Sequence, residues 1–103
     1  DEKIESYILD IIFATREPSR YKLPELESLI SFGASPRASI NLSLAGKANA
    51  FMNNRDYVTP DDIKEVAQDV LNHRIILNFE AEADGVSSSE IISQILEKVE
   101  VNS

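Results

Sequence analysis

The chain has 103 residues, 43% of them apolar and 27% charged, with eighteen acidic against ten basic side chains and a net charge of −8. That length suits one small domain with a single core, and the acidic surplus argues against general nucleic-acid binding and against an anionic membrane surface. With no cysteine and one histidine, His73, disulfides and thiolate or multi-histidine metal sites are excluded; no apolar run nears the ~20 residues of a membrane span, and no signal-peptide pattern opens the chain.

The sequence starts at Asp1 without a methionine and reads as a piece of a longer or processed protein. Residues 2–15 put Ile4, Tyr7, Ile8, Ile11, Ile12 and Ala14 or Thr15 on one helical face. Leu9 and Phe13 widen it, which predicts a helix covered on two sides and ended by Glu17 and Pro18. Residues 16–34 form the longest connection. Within it, Pro24 at a first helical position, Glu25 and Glu27 in the first turn and Gly33 past the end predict a short helix over "PELESLI".

Residues 36–53 are apolar around most of a helix: Ala38, Ile40, Leu42, Leu44, Ala45, Ala48, Phe51 and Met52. Such a helix is expected at the centre of a fold, and Asn53 and Asn54 suit the left-handed residue at its end. "YVTPDDIKEVAQDVLNHR" is the clearest helix. Thr59 caps it, Pro60 takes the first position, and Asp62 completes a capping box. Tyr57 or Val58 supplies a hydrophobic staple, and Ile63, Val66, Ala67, Val70 and Leu71 make one stripe. His73 and Arg74 close the helix, with His73 expected to pack and bond locally. Residues 75–79 read as extended and "FEAEADG" as a helical turn ended by Gly85. A last helix starts at Ser87, with Glu90 as capping partner and Ile91, Ile92, Ile95, Leu96 and Val99 as its stripe. The fold class is therefore all-α: a small bundle of four main helices with one or two short extra helices.

Two helix starts differ in chemistry. "TPDDI" fills its first turn with Asp61 and Asp62, so the chain itself serves the positive end of the helix dipole. "SPRAS" places Arg37 there, with Ser35 as cap and Pro36 following, and no acid nearby. Unpaired N–H groups plus a guanidinium make a positive spot suited to an external anion, phosphate above all. The alternative is structural: Arg37 pairs with a distant acid such as Glu25 or Glu27, and the helix tolerates a dipole penalty of only ~0.3–1 kcal/mol.

"GASPRA" at Gly33–Ala38, then "LAGKANAFM", then "RDYVTPDDIKEVAQDVLNHRI" together resemble the C-terminal helical lid of MoxR-type AAA+ ATPases. "ATRE" at the end of the first helix and the tail "EAEADGVSSSEIISQILEKVEV" extend the likeness over nearly all of residues 1–103. One departure is Asn54 before Arg55, where the family usually has glycine; asparagine tolerates the left-handed conformation. The resemblance implies a bacterial, cytoplasmic ATPase whose nucleotide-binding core precedes this lid. It implies ATP as cofactor, with Mg2+ held by that core. Arg37 maps onto the sensor-two arginine that contacts the terminal phosphate, with Ser35 and Pro36 beside it. It also implies partners: the core of the same chain, copies of itself in a ring, and proteins with von Willebrand factor A domains that join chaperone-like remodelling. Nucleic acid and membrane insertion are not expected.

A P-loop is absent: Gly46-Lys47 is followed by Ala48, and position 41 is asparagine. Hydrolysis on this chain alone is therefore not expected. Arg16, Arg20 and Lys22 form a basic cluster, of which Arg16 is a candidate for a phosphate-proximal or subunit-interface role, against the reading of a solvated loop. Arg55 is a second interface candidate, against pairing with Asp56 or another acid. The competing reading of the whole is a free-standing, histone-fold-like interaction module, since "VTPDDIKEVA" also resembles the start of the last histone-fold helix.

Overall fold

The computed structural model describes residues 2–99; Asp1 and residues 100–103, the two ends of the expected domain and of its tail motif, lie outside the described residues. Four long helices carry the fold: α1 (Glu2–Arg16), α3 (Ala38–Met52), α4 (Pro60–Leu71) and α6 (Ser88–Lys98). Between them lie a 3-10 turn (Pro18–Tyr21), two short helices, α2 (Pro24–Glu27) and α5 (Phe79–Ala83), and two short strands, β1 (Ile30–Phe32) and β2 (Ile76–Leu77). The fold is a helical bundle, as the periodicity predicts.

The centre of the core is α1. Its face of Ile4, Tyr7, Ile8, Ile11, Ile12, Ala14 and Thr15 is buried, and it packs on α3, α4 and α6. Removing these side chains from water stabilises the fold by roughly 1.5–3 kcal/mol for each large aliphatic one. Leu9 and Phe13 correct the expectation of a helix covered on two sides: both are about two-fifths exposed. Tyr7 is buried, and among the described residues no group bonds its hydroxyl. Burial first, and the charge of Asp61 second, push its pKa up to about 12.

The apolar girdle of α3 misleads about its place. Only Ala38, Leu42, Gly46 and Ala50 are buried, while Ile40, Leu44, Phe51 and Met52 are 60–80% exposed. Hydrophobic periodicity records which residues are apolar, not which neighbour covers them. The buried side of α3 meets α4 closely, because Gly46 has no side chain. A Cβ there would stand 2.5 Å from Ile63 Cδ1 and 3.5 Å from Val58 Cγ1. Val58, half-buried against the core, is thus the apolar residue before the Thr59 cap, and Tyr57 is exposed. At the end of α3 the left-handed residue is Asn54, with φ 62°, and Asn53 is not left-handed.

The short helix at Pro24 stops at Glu27 rather than running through Ile30. Ser28 and Leu29 turn, and Ile30 opens β1, which pairs antiparallel with β2, Ile30 opposite Leu77 and Phe32 opposite Ile76. Asn78 holds this pairing: its N–H donates to Leu29 O (2.9 Å) and its side-chain amide donates to Ser28 O. The same Asn78 caps α5 by accepting from the Ala81 N–H. Gly85, with φ 71°, follows that turn. Ser87 caps α6, its Oγ accepting from the Glu90 N–H at 3.2 Å. His73 is exposed rather than packed, and Arg74 donates to Val70 O (2.9 Å) at the end of α4. The helix that "VTPDDIKEVA" begins is followed by α5 and α6, so it is not the last helix, as a histone-like order requires. No helix among the described residues is long and apolar enough to cross a membrane.

Candidate functional site

The start of α4 shows what a self-sufficient helix terminus looks like. Thr59 Oγ1 accepts from the Asp62 N–H, and Asp62 Oδ2 accepts from the Thr59 N–H at 2.8 Å, which closes the capping box. Asp62 is buried and takes more than the cap. Arg55 donates to it through two nitrogens, at 2.5 and 2.7 Å, and Asn49 of α3 donates at 2.9 Å. The Arg55 guanidinium, above all, holds the Asp62 carboxyl well below the usual carboxylate range. Burial pushes the other way, and bonds from Thr59 and Asn49 add to the lowering. Arg55 also donates to Tyr57 O (3.3 Å) and lies over the Tyr57 ring at 5.8 Å. Its donors are thus turned inward, onto the α3–α4 connection, and its acid is Asp62 rather than Asp56.

The start of α3 is built differently. Ser35 Oγ accepts from the Arg37 N–H at 3.2 Å, and Ser35 O accepts from the Ala38 N–H at 2.8 Å. Pro36 O accepts from Ser39 N–H at 3.1 Å, and Arg37 O from Ile40 N–H at 3.0 Å. Residues 36 and 37 form a tight turn, and the α-helix proper begins at Ala38. This corrects one part of the sequence reading. The N–H groups of residues 37–40 are not open to an external anion, because the turn's own carbonyls and the Ser35 hydroxyl take them. What remains is the guanidinium. Arg37 is exposed, the first turn of α3 carries no acid, and Arg37 is in neither the Arg20–Glu17 nor the Arg55–Asp62 ion pair. Glu27, once a candidate partner, accepts instead from the Ser19 N–H at 3.3 Å.

The segment before Arg37 is pinned to the end of α1. Thr15, buried, donates to Ile12 O at 2.6 Å and accepts from the Ala34 N–H at 2.9 Å. Arg16 donates to Ala34 O at 3.3 Å. Gly33 lies so close to α1 that a Cβ would stand 2.3 Å from Thr15 O. The structure therefore brings Arg16 to the base of the Arg37 loop. It does not gather the basic cluster: Arg20 pairs with Glu17 at 2.8 Å, and Lys22 ends the 3-10 turn with φ 62°. Thr15 and Asn49 were missed as site-bearing residues. Thr15 reads as one more helix-face position, and Asn49 is visible only as a polar residue in an alanine-rich run. Among the described residues no group of three or more acids or histidines could hold a metal ion.

Residues 26–95 match the AAA lid domain family. The chain is 41% identical over 93 residues to chaperone MoxR1 of Mycobacterium tuberculosis, covering 90% of this chain and 25% of that protein. It is 38% identical to the uncharacterized protein YeaC of Bacillus subtilis, covering 98% of this chain and 29% of that one. A solved structure of a candidate ATPase from Cytophaga hutchinsonii matches all of this chain at 57% identity with a TM-score of 0.97, over 31% of its own length. The chain thus spans less than a third of the proteins it matches here.

Proposed function

From the premise that this chain belongs to the AAA lid domain family, we propose that it is the lid of a MoxR-type AAA+ ATPase and that Arg37 is its sensor-two arginine. In this reading the parent binds ATP and Mg2+ in a preceding core domain, and the lid contributes a cation to the terminal phosphate. A guanidinium matches phosphate oxygens in shape and charge, and a cation placed where charge gathers lowers the barrier to phosphoryl transfer. Ser35 and Pro36 shape the turn that presents it. The single observation that carries the reading is the exposed Arg37, in neither of those ion pairs, on a chain of charge −8. The N–H groups of residues 37–40 are already bonded within the turn.

The wider reading follows the same family: a bacterial cytoplasmic machine that forms a ring of copies, works with von Willebrand factor A domain proteins and remodels clients as a chaperone does. MoxR1 of Mycobacterium tuberculosis, named a chaperone, supports that direction. Arg16 holds the loop before Arg37 and Arg55 holds the α4 start; in the ring both are also proposed for a phosphate-proximal or subunit-interface place. The test is Arg37→Ala in the full-length parent. Steady-state ATP turnover should fall by at least about tenfold, as removal of a charge-stabilising donor does, while nucleotide affinity changes less. Normal turnover would remove the sensor role.

A further inference from the structure

We propose that Thr15 is the positioning residue for Arg37: its hydroxyl fixes where the guanidinium stands relative to α1. This rests on the reading of Arg37 given above. Ala34 is buried, and its N–H has the Thr15 hydroxyl as acceptor. Thr15 is itself buried and its proton is used on Ile12 O, so the hydroxyl has one orientation, with its lone pairs aimed at Ala34. Arg16 holds the carbonyl of the same residue. Gly33 is in contact with the α1 backbone, so the loop cannot approach further. From Ala34 to Arg37 two residues intervene. One is Pro36, whose ring fixes φ, and the other is Ser35, whose carbonyl and hydroxyl both bond forward into the turn. No freely rotating stretch separates the clamp from the start of α3.

A hydroxyl is required because the site asks one atom to donate and to accept at once. Valine has the shape of threonine and can do neither, which leaves the Ala34 N–H without its acceptor, and the loop can regain one only by moving toward water. Such a move displaces Arg37 without touching it, and the geometry of phosphoryl transfer is sensitive to displacements of this size.

The experiment uses the full-length parent with Thr15→Val, Thr15→Ser, Arg16→Met, Arg37→Ala and the double change of Thr15→Val with Arg37→Ala. Turnover and KM for ATP are measured together. Thr15→Val is expected to lower kcat about tenfold with KM shifted less than about twofold, well within the ~10²-fold that a misplacement of about 1 Å can cost. Thr15→Ser, which keeps the hydroxyl, is expected to restore kcat to within about threefold. Thr15→Val should add nothing to Arg37→Ala, because the two act through one group. Amide exchange over residues 30–38 should rise in Thr15→Val and stay low in Arg37→Ala. A wild-type kcat in Thr15→Val beside a slow Arg37→Ala overturns the positioning role and leaves the sensor reading intact. So does a double variant slowed by the product of the single effects. A wild-type kcat in Arg37→Ala overturns both. Should Thr15→Val not fold, Arg16→Met, at an exposed position, carries the test. Its kcat should fall about two- to threefold and not compound with Arg37→Ala; an unchanged or compounding effect overturns the proposal.

Discussion

Gly33→Ala should be among the most damaging single-methyl additions in this domain. The added carbon would stand 2.3 Å from Thr15 O, 2.6 Å from Thr15 C and 2.8 Å from Arg16 Cα. All three are backbone atoms of α1, so no side chain can swing aside. A comfortable carbon–oxygen contact is about 3.3 Å, so the loop must lift by about 1 Å. Such a lift breaks the Ala34 N–H bond to Thr15 at 2.9 Å, and a buried donor left unpaired costs about 1–3 kcal/mol. Residual overpacking adds about 1–3 kcal/mol. The less flexible unfolded chain returns about 0.4–1 kcal/mol. At mid-range the net is a loss of about 3 kcal/mol, within limits of about 1–5.6, and a loss of about 3 kcal/mol lowers Tm by roughly 12–24 °C for a domain of this size. Urea or thermal unfolding of the 103-residue chain, followed by far-ultraviolet circular dichroism, reads it directly. Gly33 is not in the left-handed region, so backbone strain does not enter the argument. A variant within about 0.5 kcal/mol of the wild type would show that the loop yields easily and that the contact with α1 is not the constraint described here.

Two further predictions concern titration. Asp62 has a folded pKa below its ordinary 3.8. The stability it contributes is therefore fully present above that value and is lost as pH falls through it toward the folded pKa. Acid unfolding of the wild type should steepen below about pH 4, and Asp62→Asn should flatten that limb while lowering stability at neutral pH; an unchanged acid limb would refute the assignment. Tyr7 shifts the other way, from 10.0 to about 12. Between those values the unfolded chain gives up its proton first, so stability falls as pH rises above 10. Tyr7→Phe should remove that alkaline loss. It should also raise neutral stability by about 1 kcal/mol, since a buried hydroxyl without a partner is deleted; a destabilised phenylalanine variant would mean that the hydroxyl has an acceptor.

What the sequence disclosed were features written within a few residues of one another. Thr59, Pro60 and Asp62 announce the start of α4, the stripe of Ile63, Ala67 and Leu71 the buried side of α4, and Ser87 and Glu90 the start of α6. The contrast between Arg37 and the aspartates of α4 is equally local. Contacts between distant residues were not legible. Ala34 reaches back nineteen positions to Thr15, and nothing in a threonine at the end of a helix announces that partner. The pairing of Phe32 with Ile76 joins a segment after an expected short helix to residues 75–79, which read as extended, and neither stretch names its partner. Arg55 and Asp62 are seven apart, but the capping role of Asp62 was a complete account of it before the arginine was placed. The N–H groups ahead of α3 were expected to be open because the sequence does not say whether a helix starts with an α-turn or a tighter one.

The outward side of α3 bears on how this domain behaves in a tube. Ile40, Leu44, Phe51 and Met52 stand in water, while the whole chain carries −8. Mutual repulsion, not a sealed greasy surface, is then what keeps separate molecules from sticking. Added electrolyte shortens the reach of that repulsion to about 8 Å at physiological ionic strength and leaves the oily strip as it was. Salting such a preparation, or acidifying it toward neutrality of charge, weakens a force that opposes clumping.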